Sequence, residues 1–226
     1  METVDLIETI VSSMTPTITI DNIVDNGDGT QTIYTCNTQW IRPFLTVTIN
    51  SVDYVVSGIN YNVSFTIPTT PLVTVSSFTL QAPYYYHGTP IQVNNEWVIK
   101  NLDSEKYPLV YLIEPMSEFF YDEEVAEDKD SPLRLLFLDS LSSNTYEVTQ
   151  HYDSSIKPLV SSCLYFVELL KNNTYTNPFS YTKTNRVKVG VESTNKGSTS
   201  QIINDPLNAV EFVGTVTWLK STNCLC

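Results

Sequence analysis

The sequence predicts an α+β protein: a small antiparallel sheet with packed helices, carrying an inserted all-β unit of sandwich or barrel type. Three observations lead there. Apolar residues recur at helical spacing in two places, 4–14 and 156–170. Between them, residues 17–80 hold many short β-branched runs at close spacing. Past residue 107 come compact apolar runs that suit strands buried on both faces. Of the 226 residues 42% are hydrophobic, enough to bury a core and to set the chain apart from disordered sequences.

The elements follow in order. Val4, Ile7, Ile10, Val11 and Met14 share one face of a helix over 3–14, with Thr3 as the expected N-cap and Pro16 ending it. Then "TITI", "GTQTIYTC", "FLTVTIN", "DYVVSGINYNVSFTI" and "VTVSSFTL" read as strands, with Tyr61, Val63, Phe65 and Ile67 alternating. Asn26-Gly27-Asp28-Gly29, Ser57-Gly58, Pro68 and Pro71 mark turns. The stretch "QAPYYYHGTP" is a strand-like connector, with His87-Gly88-Thr89-Pro90 as a turn back into the core, and "NNEWVIKNL" reads as a short helix or turn. "PLVYLIEP" (108–115) and "LRLLFLDS" (133–140) are buried strands. Residues 153–171 form the clearest helix, with Ile156, Leu159, Val160, Cys163, Leu164, Val167 and Leu170 on its apolar face. Asp153, Ser154 and Ser155 are its N-cap candidates, and Pro158 falls in the first turn, where proline is tolerated. "RVKVGVES" (186–193) and "AVEFVGTVTWLK" (209–220) are strands joined by a polar linker. Residues 1–16 and 81–226 therefore form the α+β core, and 17–80 the inserted β domain.

Charge and chemistry exclude several functions. The net charge is −13, from 25 acids and 12 bases with no basic cluster, which argues against uniform contact with nucleic-acid phosphates. "METVDLIETIVSSM" lacks a basic n-region, so no signal peptide is expected, and no run approaches the roughly 20 apolar residues of a membrane span. Cys36 and Cys163 stand alone, and Cys224-Leu225-Cys226 has no further ligand beside it; neither a disulfide framework nor a metal site is expected. His87 and His151 are the only histidines, and no G-x-S-x-G motif accompanies them. The acidic run "YDEEVAEDKD" lacks the glycine of a calcium loop. No catalytic residue, cofactor or metal is assigned.

The order of helix, β-insert, strands, long helix and strands resembles that of tail-completion or tail-terminator proteins of tailed bacteriophages. "FTLQAPYYYHGTP" and "PLVYLIEP…LRLLFLDS" resemble neck proteins of crAss-like podoviruses. The resemblance implies a non-enzymatic virion protein, made in the host cytoplasm, that forms a closed ring in the neck or tail. Twelve copies are expected, with six as the alternative. The portal protein and other neck or tail rings would be its partners, and genomic DNA would pass without sequence-specific contact.

Eight residues stand out as interface candidates. Tyr84, Tyr85 and Tyr86 suit a packed connector first, a protein interface second and sugar stacking third. Glu123, Glu124 and Asp128 form a solvated loop, or meet a basic neighbour or the channel lumen. Arg134 and Arg186, at strand edges, suit ion pairs across a subunit border. A carbohydrate- or receptor-binding β module is the alternative to the ring, and a small hydrolase using acids near 114–139 is the third reading.

Overall fold

The computed structural model describes residues 2–89, 92–93, 107–114, 118–120, 129–140, 152–174, 176, 179–189, 191–193, 199–201 and 207–218. The fold is mixed α+β and rich in sheet. Helix α1 (Thr3–Ser12) buries Leu6, Ile7, Ile10 and Val11. Its N-cap is Glu2 rather than Thr3, and no side chain caps it. Thr3 is instead buried in the first turn, where its hydroxyl donates to Glu118 and lies 3.0 Å from the Ser131 hydroxyl.

Residues 17–80 hold eight strands: β1 (Thr17–Thr19), β2 (Asn22–Asp25), β3 (Thr30–Tyr34), β4 (Thr46–Ile49), β5 (Val52–Val55), β6 (Gly58–Asn60), β7 (Ser64–Pro68) and β8 (Ser77–Thr79). They form an open four-stranded sheet, β2-β3-β7-β6, and two separate ladders, β4-β5 and β1-β8; no sheet closes on itself. The β2–β3 hairpin turns at the expected Asn26–Gly29, where Gly27 (φ 72°) and Gly29 (φ 86°) take the positive φ that glycine tolerates. Tyr61 and Val63 belong to a turn, so the buried alternation is confined to Phe65 and Ile67. The β1–β8 ladder pairs Thr17 with Thr79 and Thr19 with Ser77, so the chain enters and leaves this unit at one place.

Among the described residues the large sheet has six strands: β9 (Tyr84–Gly88), β10 (Leu109–Ile113), β11 (Phe119–Phe120), β12 (Lys129–Ser140), β13 (Tyr181–Val189) and β16 (Leu207–Trp218). Its order is β13-β16-β12-β10-β9, with β11 pairing β12. Two short strands, β14 (Val191–Ser193) and β15 (Thr199–Gln201), make a separate hairpin inside what reads in the sequence as strand end and linker. The sheet is larger than the small antiparallel one expected, and mixed, because β9 pairs with β10 in parallel. A parallel neighbour needs a long crossover, and the chain between Gly88 and Leu109 supplies it. His87 and Gly88 accordingly belong to a strand, not to a turn.

Helix α2 (Lys157–Asn172) crosses one face of this sheet, preceded by a π-helical turn at Tyr152–Ile156. That turn displaces the expected cap: the N-cap is Ile156, without a side-chain hydrogen bond. The buried stripe runs through Leu159, Ser162, Cys163, Phe166, Val167 and Leu170. Leu164 is 46% exposed, whereas Phe166 is fully buried and stands edge-on to Phe137 and Phe212, with ring centroids 5.7 and 5.9 Å away. The aromatic partners on β12 and β16 decide which way the stripe faces, and helical period alone does not reveal them.

Both helices, the 17–80 unit and one face of the sheet share a single hydrophobic cluster. The opposite face carries a second one around Leu109, Tyr111, Leu136, Leu138 and Ala209. Among the described residues, the contacts that tie the 17–80 unit to α2 and the sheet are aromatic, polar and ionic. Trp40 stands edge-on to Tyr165 at 5.8 Å. The Ser161 hydroxyl lies 3.0 Å from Gln39 Oε1 and donates to it. Arg42 Nε lies 2.5 Å from Asp139 Oδ2, and both side chains are almost wholly buried.

Candidate functional site

The triple tyrosine lies on β9, which among the described residues is an edge of the large sheet. Alternation along the strand sends Tyr84 and Tyr86 to the second cluster and Tyr85 to the helix side. Tyr85 packs under α1 and donates its hydroxyl to Val4 O at 3.2 Å. Burial pushes its pKa well up, and the charges of Glu8, Glu114 and Asp5 push it further. Three carboxylates therefore gather around this part of the edge. His87 Nδ1 lies 2.9 Å from Glu114 Oε1, with both groups partly exposed.

The end of β9 is fixed by local chemistry. Gly88 has φ +127°, and a Cβ there would stand 3.1 Å from Gln92 Oε1. Gln92 Oε1 accepts from Thr89 N (2.9 Å) and from the Thr89 hydroxyl (2.8 Å). Tyr111 donates its hydroxyl to Gly88 O at 2.8 Å. Its pKa is pushed up to about 12, by burial first and then by the Glu114 charge.

Beside β9, at the junction with the 17–80 unit, is a cleft of 390 Å³ lined by Trp40, Thr48, Asp53, Gln81, Tyr84 and Tyr107 among others. Trp40 and Tyr107 are buried, and the Trp40 indole donates to Gln81 O at 3.1 Å. Neither ring presents an open face, which is what stacking on a sugar requires. Asp53 accepts from the Thr48 hydroxyl at 2.6 Å.

The opposite edge, β13, carries a different chemistry. Its sequence YTKTNRVKV has three bases and no acid. Thr182 to Asn185 are exposed. Tyr181 and Lys183 face the helix side, as the pairing of Lys183 with the core residue Phe212 requires, and Lys171 of α2 sits over the Tyr181 ring at 5.6 Å.

Arg134 makes its ion pair within the chain: Nε lies 2.6 Å from Oε1 of the buried Glu211, on the face away from the helices. Arg186 lies on β13 opposite Ala209. Glu123, Glu124 and Asp128 lie outside the described residues, as do His151, Cys224, Cys226 and the "NNEWVIKNL" stretch. Cys36 is exposed. Cys163 is buried, and burial pushes its thiol up to about 12, far from reactive range. Among the described residues no group of three or more His, Cys, Asp or Glu is placed to hold a metal ion, and no helix is long and apolar enough to cross a membrane.

Sequence reasoning found the tyrosines but not their acidic surroundings. Asp5 and Glu8 fall on the polar side of α1 by helical spacing; that α1 lies over β9 is a tertiary fact with no local signal. No family model matches the chain, and no curated protein or solved structure matches it.

Proposed function

We propose that the chain is a structural virion protein that forms a closed ring in the neck or tail of a tailed bacteriophage, as a tail-terminator-like subunit. The observation that carries this reading is the topology of the core. An N-terminal helix, the antiparallel neighbours β10 and β12, the long helix α2 and the antiparallel neighbours β13 and β16 follow in the order the resemblance implies. Both helices pack on one face of the sheet. Residues 17–80 are in this reading an insertion whose base is the β1–β8 ladder, and they reach an adjacent ring or the outer surface.

The mechanism is geometric. Subunits associate head to tail until the rotation closes the circle, and the rings above and below, the portal among them, stack on it. A net charge of −13 keeps passing DNA from adhering. No bond is made or broken, and no cofactor is needed. Twelve copies suit a short-tailed neck, and six suit a tail terminator.

Native mass measurement with negative-stain images of the purified protein tests the reading. Closed rings of twelve or six copies are expected. A monomer at every concentration, with measurable affinity on a glycan array, would replace the ring with a sugar-binding module.

A further inference from the structure

We infer that the two open edges of the large sheet are the two halves of one heterologous interface, with β13 of one copy pairing against β9 of a second copy of this chain. The inference rests on the ring reading above and supplies its contact surface.

Sheet order is the first ground. Among the described residues, β9 and β13 are the outermost strands. Along β9, Tyr84 N donates to Pro108 O and Gly88 O accepts from Glu114 N. Even-numbered residues therefore direct their backbone groups toward β10, and Tyr85 and His87 direct theirs to the open side. A row of such groups is a template for another strand.

Strand direction is the second. β10, β12, β16 and β13 alternate in direction, each antiparallel to the next, and β9 runs with β10. β9 and β13 thus run in opposite directions. Copies set side by side in the same orientation bring β13 against β9 as an antiparallel pair, the more stable kind.

Charge is the third ground, and it names the occupant. On the helix side, α1 lies against β9 through the Tyr85 hydroxyl bond to Val4 O and brings Asp5 and Glu8 to that edge, and Glu114 stands 2.9 Å from His87 on it. On the same side, the β13 edge carries Lys171 and Lys183 around Tyr181. A two-fold dimer through either edge sets like charges against each other. Head-to-tail pairing sets acids against bases, which is the arrangement that generates rings.

The test uses two charge reversals in the full chain, read by native mass. Lys171→Glu with Lys183→Glu makes both edges acidic; Glu8→Lys with Glu114→Lys makes both basic. Each variant alone should lose the ring while keeping the wild-type circular dichroism spectrum. An equimolar mixture should restore a ring of alternating copies, which six or twelve members allow. A misfolded variant cannot complement its partner, so restoration excludes simple unfolding. Rings that survive either reversal overturn the edge pairing and leave the ring reading intact. Loss in both variants without restoration on mixing overturns the pairing of these two edges with each other. Wild-type protein that never forms rings overturns the ring and the edge pairing together.

Discussion

Glu118 shows how one side chain answers to several elements. Burial raises its pKa. Hydrogen bonds from Lys129, Thr3 and Ser131, with the Lys129 charge, outweigh burial and hold the carboxyl below its ordinary 4.5. Lys129 Nζ stands 2.8 Å from Oε1. The folded value is the lower one, so the carboxylate contributes stability above the unfolded pKa of 4.5 and loses it as pH falls through the folded value. Glu118→Gln should therefore cost about 1.5–3 kcal/mol near neutral pH, the range for a hydrogen bond to a charged group. The gap between variant and wild type should close as the pH is taken below 4.5. Thermal melts across that range check it, and a gap independent of pH would remove the carboxylate from the account. A helix-start residue such as Thr3 reads locally as a cap; its use here depends on β12, more than a hundred residues away.

Helix α2 makes the same point for an element. Its existence and length follow from spacing, but the face it buries is set by what it meets. Phe166 sits edge-on between Phe137 and Phe212, while Leu164, equally apolar, points to solvent. Phe166→Ala should cost about 3–5 kcal/mol, since it removes a filled volume and leaves a cavity. Leu164→Ala should stay within about 0.5 kcal/mol. Urea denaturation of the two variants decides, and equal losses would contradict this placement of the helix. The strand β9 is the converse case. Three tyrosines in a row mark a strand, but nothing local says that it lies at a sheet edge and parallel to its neighbour.

For the whole molecule, the question is how the 17–80 unit is held to the core. The apolar contact at Trp40 and Tyr165 is non-directional. The Arg42–Asp139 contact is not: at 6% and 2% exposure it is a charge pair out of water, and Arg42 Nη1 also donates to Pro43 O at 2.8 Å. The 2.5 Å approach of Nε is ionic, without hydrogen-bond alignment. Arg42→Met removes a counter-charge from the buried Asp139 and should cost about 3–5 kcal/mol. Adding Asp139→Leu to that variant should recover most of the loss, because the desolvation penalty leaves with the second charge. Chemical denaturation of the single and double variants tests this; a double variant no more stable than the single would show that the pair itself does not dominate. The proposed ring and the edge pairing inferred for it belong to this scale too, since charges distributed over α1, β9, α2 and β13 act together only once the sheet is assembled.

By itself, the sequence determined the α+β class, both helices, most of the strands and the glycine turn at 26–29. These follow from short-range rules, period and steric freedom, that operate within a few residues. It also marked Tyr84–Tyr86 as unusual, through composition alone. Only the tertiary structure decided that β9 is a parallel edge strand, that Phe166 rather than Leu164 faces the core, and that Arg42 meets Asp139. Only there do the acids of α1 and the lysines of α2 and β13 fall on opposite edges of one sheet. Each of these depends on which distant segments come to lie side by side, and a parallel neighbour or a buried ion pair has no local period to reveal it.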